Sequence, residues 1–88
     1  MITVAICDDH DMVRKALAGV IEGYDDLHVV GTAESTATLR TVMVREHPEV
    51  AVIDIRLGDE SGIDAAREMR DVSPGTKVIM LTSFSNDA

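Results

Sequence analysis

The chain has 88 residues, a formal net charge of −8 and an apolar content of 45%. Its length allows one domain at most, and its apolar content excludes an intrinsically disordered segment. The eight lysines and arginines are scattered along the chain without a basic run, so this segment lacks the basic cluster that contact with nucleic acid or an anionic membrane requires. No stretch approaches the roughly 18 apolar residues of a membrane span, and no basic n-region opens the chain. We therefore expect a single cytoplasmic domain.

The first third of the chain predicts a strand, a helix and a second strand. Residues 2–7 (ITVAIC) are almost all apolar, which is typical of a strand buried on both faces of a parallel sheet, with Cys7 as a buried free thiol. From residue 12 apolar side chains recur at helical spacing, with Asp11 as the predicted N-cap and Gly23 near the end. Residues 27–33 (LHVVGTA) predict a second strand that is partly exposed.

The rest of the chain repeats this alternation of helix and strand. Ser35 is the predicted cap of the second helix, and Pro48 ends it. The further predicted elements are a third strand (50–55, VAVIDI), a loop (57–62), a third helix (63–72) and a fourth strand (77–82, KVIMLT). Beyond them, Ser85 or Asn86 could cap another helix.

Strands that alternate with helices of this length predict a doubly wound parallel sheet with helices on both faces. The fourth strand is as apolar as an interior strand, yet the chain contains no further strand to pair with its outer edge. An uncovered parallel edge promotes association. We therefore expect either a longer parent chain or self-association through this edge.

Acidic side chains follow two strands of the predicted sheet. Asp8 and Asp9 come after the first strand, Asp54 ends the third, and Thr82 and Ser83 end the fourth. Ligands of such sheets bind at the carboxyl ends of the strands, so these side chains should converge. Carboxylates ~4–5 Å apart repel by about 3–4 kcal/mol per pair at an effective dielectric of ~20. A hard cation such as Mg²⁺ would relieve this repulsion.

A second interpretation of these acids remains open, because Asp8, Asp9 and Asp11 could simply complement the N-terminus of the first helix. Asp54 favours the metal site, since an ionisable residue at the tip of a buried strand is costly without a purpose. Asp54 could then act as a nucleophile on phosphorus, assisted by the Thr82 hydroxyl and the backbone N–H groups of the loop 57–62. His10 is interpreted as a surface residue rather than a ligand.

Together, these motifs resemble the receiver domain of two-component response regulators over essentially the whole chain. The matching elements are Asp8-Asp9 after the first strand, Asp54 after the third, the loop to Gly62, and Leu81-Thr82-Ser83 ending the fourth. The Cys7-Asp8-Asp9-His10 turn, Arg14 and the segment Val29-Val30-Gly31-Thr32-Ala33 are most similar to the subfamily with LuxR-type helix-turn-helix output domains.

The resemblance implies a flavodoxin-like fold with strand order 2-1-3-4 and a role for each site residue. Asp54 would be the phosphoacceptor, and Thr82 the switch hydroxyl. Asp9 and Asp54 would ligate Mg²⁺ directly, with the backbone carbonyl of Arg56 as a third ligand and Asp8 acting mainly through water. The phosphoryl donor would be a sensor histidine kinase or a small phosphodonor, and DNA would be contacted by an output domain of the parent protein.

This chain also departs from the family pattern. Gly58 stands where many relatives have proline, and the usual fifth strand, with its lysine and switch aromatic, is absent from these 88 residues. Lys77 begins the fourth strand, at the wrong end of the sheet to substitute. The resemblance therefore implies that residues 1–88 are a receiver domain that is incomplete at its C-terminus.

Two functions remain open at this point, and two kinds of enzyme are disfavoured. The intact acidic set favours a phosphorylatable switch that is not an enzyme in the usual sense, and the missing lysine favours a receiver-like dimerisation module that takes no phosphate. An aspartyl-phosphate phosphatase would need a general-acid aspartate two residues after the nucleophile of its first strand, but His10 occupies that position after Asp8. A nucleotide-binding enzyme is disfavoured by the lack of a glycine-rich loop after the first strand.

Overall fold

The computed structural model describes residues 1–82, in which short apolar strands form a parallel sheet and amphipathic segments form helices on it. The strands are β1 (Ile2–Cys7), β2 (Leu27–Ala33), β3 (Val50–Asp54), β4 (Arg56–Leu57), β5 (Glu60–Ser61) and β6 (Lys77–Leu81), and the helices are α1 (Asp11–Glu22), α2 (Thr36–Glu46) and α3 (Gly62–Val72). The four-stranded sheet has the order β2-β1-β3-β6, and all its strands are parallel. The predicted α/β class and strand order 2-1-3-4 are confirmed.

The core lies between one face of the sheet and helices α2 and α3. Its strand residues alternate, as the period of two requires, so that Ala5 and Cys7 of β1 belong to the cluster. The neighbouring Val4 and Ile6 are also buried but lie outside that cluster, on the face where α1 packs against β1 and β2. The predicted burial of Cys7 is confirmed, and burial raises the pKa of its thiol to about 12.

The three helices differ in how well their apolar faces are covered. Helix α2 buries Leu39, Val42 and Met43, whereas no residue of α1 is buried, and its Val13 and Val20 are 41% and 62% exposed. Helical periodicity therefore identified an apolar face on α1 that nothing among residues 1–82 fully covers. Within the same residues, no helix is both long enough and apolar enough to span a membrane.

The helix boundaries differ from the predictions at the start of α1. His10 is the N-cap residue, so Asp11 is the first residue of the helix and not its cap. The Asp11 carboxylate instead pairs with the Arg14 guanidinium one turn later. Ser35 caps α2 as predicted, accepting a hydrogen bond from the Thr38 N–H.

The segment predicted as a loop, 57–62, contains a short hairpin. Strands β4 and β5 pair in antiparallel register, Arg56 with Ser61 and Leu57 with Glu60. Gly58 has a φ of 61°, a left-handed conformation that glycine adopts without steric cost, and this permits the two-residue turn. Strands of two residues are too short to show any periodicity, so hydrophobic patterning could not predict them.

The third and fourth strands of the main sheet are each one residue shorter than predicted. Strand β3 ends at Asp54 and β6 ends at Leu81, which leaves Thr82 just beyond the sheet. Ser83 of the predicted strand-end motif, and Ser85 and Asn86 as caps of a further helix, lie outside the described residues.

Candidate functional site

Three carboxylates converge at the carboxyl end of the sheet, as the sequence predicts. Asp54 is the last residue of β3, and Asp8 and Asp9 directly follow β1, which is the neighbour of β3 in the sheet. The register pairs Cys7 with Ile53, so both strands end at the same level. One ligand atom from each acid, and one from His10, all lie within 4.8 Å of one another.

The acidic residues are poorly compensated inside the protein. Asp8 and Asp54 are each 1% exposed. Asp54 Oδ1 accepts a hydrogen bond of 3.2 Å from the Arg56 N–H, but within residues 1–82 neither Asp54 Oδ2 nor Asp9 Oδ1, both buried, has a hydrogen-bond partner. Burial raises the pKa of Asp54 and the charges of Asp8 and Asp9 add to the rise, whereas the Arg56 N–H opposes it.

These orphaned oxygens match the requirements of a hard divalent cation. Buried polar atoms in native proteins almost always have a partner, and an unsatisfied one calls for an ion, a water or a functional reason. Carboxylate oxygens are the donors that Mg²⁺ prefers, usually one or two of them with waters completing the shell. The residues present therefore fit the magnesium site that the sequence predicts.

His10 lies against this cluster, which the sequence interpretation missed. The ring is 62% exposed, as expected for a surface residue, but its Nδ1 lies 3.1 Å from Asp8 Oδ1 and 3.0 Å from Asp9 Oδ1. The backbone N–H of His10 also donates to Asp8 Oδ1 at 2.8 Å. The hydrogen bond to Asp8 and the charge of Asp9 raise the pKa of His10. Its position beside two acids in the sequence was the available signal.

Arg14 fixes the turn that carries the acids. Its guanidinium is only 13% exposed and donates from Nη1 to the Asp8 carbonyl at 2.8 Å, while Nη2 pairs with Asp11. A charged donor on the Asp8 carbonyl holds the backbone at the point where Asp8 and Asp9 diverge. The sequence singled out Arg14 as a family feature without assigning this contact.

The β4–β5 hairpin closes tightly over the end of β3. The Gly62 N–H donates to the Ile55 carbonyl at 2.7 Å, and a Cβ added at Gly62 would lie 1.8 Å from the Asp54 carbonyl oxygen. At the far side of the hairpin, Glu60 Oε1 accepts hydrogen bonds of 2.9 Å from both the N–H and the hydroxyl of Thr36 at the start of α2. The hairpin is thereby anchored both to the backbone of β3 and to α2.

The last two predicted site residues lie beside Asp54. Thr82 lines a small cleft together with Asp54, Ile55 and Arg56. The Ile55 N–H donates to the Leu81 carbonyl at 3.0 Å, which holds the residue before Thr82 against the segment after β3. The structure therefore brings all five predicted site residues to one end of the sheet, and the roles of Thr82 and of the Arg56 carbonyl stay predictions.

The model of the response regulator receiver domain matches residues 4–88. The chain belongs to this family. Among curated proteins it is similar to the DNA-binding transcriptional activator DevR/DosR of Mycobacterium tuberculosis (36% identical over 87 residues, 99% of this chain and 40% of that protein). It is also similar to the transcriptional regulatory protein LiaR of Bacillus subtilis (34% identical over 87 residues, 99% of this chain and 41% of that protein).

Solved receiver structures show the same fold. A LuxR-family two-component response regulator from Aurantimonas superposes with a TM-score of 0.88 at 24% identity, covering 97% of this chain and 61% of that one. The response regulator domain of Thermotoga maritima CheB superposes with a TM-score of 0.84 at 28% identity, covering 99% of this chain and 64% of that one. The receiver chain spans about 40% of the length of the curated relatives named above.

Proposed function

We propose that this receiver chain is a phosphoryl-accepting switch with Asp54 as the acceptor. The observation that carries the proposal is the buried Asp54 Oδ2, which has no hydrogen-bond partner among residues 1–82 and lies in a cluster of three carboxylates. A carboxylate oxygen attacks phosphorus, the bond from phosphorus to the donor breaks, and an acyl phosphate forms on Asp54. The donor is a phosphohistidine of a sensor histidine kinase, whose imidazole nitrogen keeps the electron pair of the broken bond.

The acidic cluster holds Mg²⁺ in this proposal. Asp9 and Asp54 are direct ligands, the Arg56 carbonyl is a third, and Asp8 acts mainly through a water. When bound, the ion neutralises charge on the transferring phosphoryl oxygens. The protein itself positions Asp54 through the Arg56 N–H and holds the Asp8–Asp9 turn through Arg14.

The consequence of phosphorylation is a conformational signal rather than turnover of a separate substrate. Thr82, beside Asp54 in the cleft, is the hydroxyl that we propose moves toward the phosphoryl group. Two relatives carry regulatory names, DevR/DosR as a DNA-binding transcriptional activator and LiaR as a transcriptional regulatory protein. We propose that a parent protein contacts DNA through an output domain in the cytoplasm, and that residues 1–88 are the receiver part of it.

The experiment that tests this function is phosphoryl uptake. The chain is incubated with acetyl phosphate and Mg²⁺ and its intact mass is recorded beside Asp54→Asn and Asp59→Asn. Asp59 is an exposed acid of the same hairpin segment and serves as the matched control. We expect a shift of one phosphoryl group in the wild type and in Asp59→Asn, and none in Asp54→Asn. A shift that persists in Asp54→Asn would exclude Asp54 as the acceptor.

A second candidate function, a dimerisation module that takes no phosphate, is favoured by one feature of the sheet. In the described part of the chain, β6 pairs with β3 and with no other strand, and Ile79 of β6 is 53% exposed. We propose that this edge supports self-association. Sedimentation at micromolar concentration tests it, and a stable monomer would contradict it.

A further inference from the structure

The side chain of His10 has an unusual position for a residue at the start of a helix. An N-cap side chain normally accepts a hydrogen bond from the first turn, but His10 makes no such bond. Its Nδ1 instead lies between two carboxylates, 3.1 Å from Asp8 Oδ1 and 3.0 Å from Asp9 Oδ1. Only the contact with Asp8 has hydrogen-bond geometry, so Asp9 Oδ1 stays without a partner in the described residues.

An independent observation shows that this space is suited to an ion. The buried Asp54 Oδ2 has no hydrogen-bond partner within residues 1–82, and the donor atoms of Asp8, Asp9, His10 and Asp54 lie within 4.8 Å of one another. Two ligands on opposite sides of an ion are separated by about twice the metal–ligand distance, or roughly 4–4.6 Å for bonds of about 2.0–2.3 Å. The spacing of the four donor atoms is therefore close to the separation of ligands around a single ion.

The imidazole of His10, as a fourth donor beside the three carboxylates, changes which metal ions the site prefers. Carboxylates, carbonyls and waters suit Mg²⁺, whereas imidazole suits borderline ions such as Co²⁺, Ni²⁺ and Zn²⁺. We propose that His10 becomes a direct ligand when such a transition-metal ion occupies the acidic cluster, so that the site binds Co²⁺ or Zn²⁺ far more tightly than Mg²⁺. This inference rests on the metal site of the proposed function and adds a residue that selects among metals.

The test measures metal affinity and not phosphorylation. Co²⁺ and Mg²⁺ are titrated separately into the chain by calorimetry, using the wild type, His10→Gln and His28→Gln. His28 is the matched control, because it is also a half-exposed histidine with an acidic partner, Glu22, but lies at the start of β2, at the other end of the sheet. The visible spectrum of bound Co²⁺ depends on the ligand set, so a change in His10→Gln alone reports the loss of the imidazole ligand.

We expect His10→Gln to weaken Co²⁺ binding at least about tenfold and Mg²⁺ binding less than about threefold. The Co²⁺ spectrum should shift in this variant, and His28→Gln should change neither affinity nor spectrum. Retained Mg²⁺ binding shows that the variant is folded with its carboxylates in place.

Two results would overturn the inference. An unchanged Co²⁺ affinity in His10→Gln would show that the ring is not a ligand, and a parallel loss of Co²⁺ and Mg²⁺ affinity would show that His10 only positions Asp8 and Asp9. The proposed function fails separately, if the wild type binds metal but takes no phosphoryl group from acetyl phosphate.

Discussion

The two ends of the sheet differ in whether their buried polar groups have hydrogen-bond partners. At the amino end, Ser73 and Thr76 are buried and form a closed network, in which the Thr76 hydroxyl donates to the Pro48 carbonyl and lies 2.6 Å from Ser73 Oγ. The imidazole of His47 lies 3.3 Å from Ser73 Oγ and completes it. At the carboxyl end, Asp54 Oδ2 and Asp9 Oδ1 are buried without a partner in the described residues.

This difference separates a structural use of polar side chains from a functional one. Satisfied networks stabilise a fold, whereas unsatisfied buried charges destabilise it and persist where they bind something. We therefore infer that the buried polar groups at the amino end of the sheet stabilise the fold, and that those at the carboxyl end bind an ion. Substitutions of the buried polar side chains at the two ends should therefore change the free energy of unfolding in opposite directions.

The largest expected change in the free energy of unfolding comes from a comparison of two glycines, one at each end of the sheet. Gly62→Ala places a Cβ 1.8 Å from the Asp54 carbonyl oxygen and 2.8 Å from Ile55 Cα, so the backbone must move. We expect a loss of about 3 kcal/mol or more in the free energy of unfolding, measured by urea denaturation. Gly75→Ala is the control, since nothing lies within 4 Å of its added Cβ, and we expect it to be neutral or slightly stabilising. Equal effects of the two would contradict the packing of the hairpin on β3.

The second effect concerns the satisfied network at the amino end. Thr76→Val keeps the volume but leaves the Pro48 carbonyl without this donor and removes one of the two side-chain partners of the Ser73 hydroxyl, the other being His47. We expect a loss of about 1–3 kcal/mol in the same measurement. Thr41→Val is the control, because Thr41 is exposed and its hydroxyl only contacts the Ala37 carbonyl at 3.4 Å. A variant of Thr76 as stable as the wild type would show that this end does not depend on its hydrogen bonds.

The third expected effect is a gain in stability, opposite in sign to the loss expected for Thr76→Val. Without divalent metal, Asp54→Asn should stabilise the protein at pH 7 by about 1–2 kcal/mol, because it removes a buried, uncompensated charge. The pKa of Asp54 is raised, so the ionised carboxylate destabilises the fold above the pKa of the unfolded chain, about 3.9. The gain should disappear as the pH falls below that value, and a gain that persists at pH 3 would contradict this cause.

Much of the fold could be predicted because buried segments show characteristic patterns of apolar residues in the sequence. The apolar runs before Asp8 and Asp54 predicted two buried strands, and the alternation with helices predicted their parallel order and the convergence of the acids. The position of Asp54 at the end of β3 follows from the run VAVI that precedes it. These features depend only on which residues are apolar and in what order.

The remaining features depend on side-chain direction and on contacts between distant residues. Nothing in the sequence fixes the rotamer that turns His10 toward the acids, away from a capping role. Glu60 meets Thr36 across 24 residues of sequence, and hydrophobic patterning carries no information about such a polar pair. The sequence also does not predict what packs on the apolar face of α1, since periodicity shows that a face is apolar but not which residues contact it.

The smallest expected effect also lies at the carboxyl end, at the exposed contact of Glu60 with the start of α2. The two hydrogen bonds from Thr36 lower the pKa of Glu60, so the carboxylate stabilises the fold above the pKa of an unfolded glutamate, about 4.3. This contribution is lost as the pH falls through the lower pKa of the folded state. Glu60→Gln should therefore lower the melting temperature slightly at pH 7, and the difference from the wild type should shrink toward pH 3.

A double-mutant cycle with Thr36→Val isolates this contact from the rest of the hairpin. The cycle should show favourable coupling at pH 7, because the valine removes the hydroxyl donor while the backbone N–H of residue 36 still bonds to the glutamate. The coupling should be weaker at pH 3, where a protonated Glu60 is a poorer acceptor. A coupling that stays constant with pH would show that the negative charge of Glu60 contributes little to its contact with Thr36 at the start of α2.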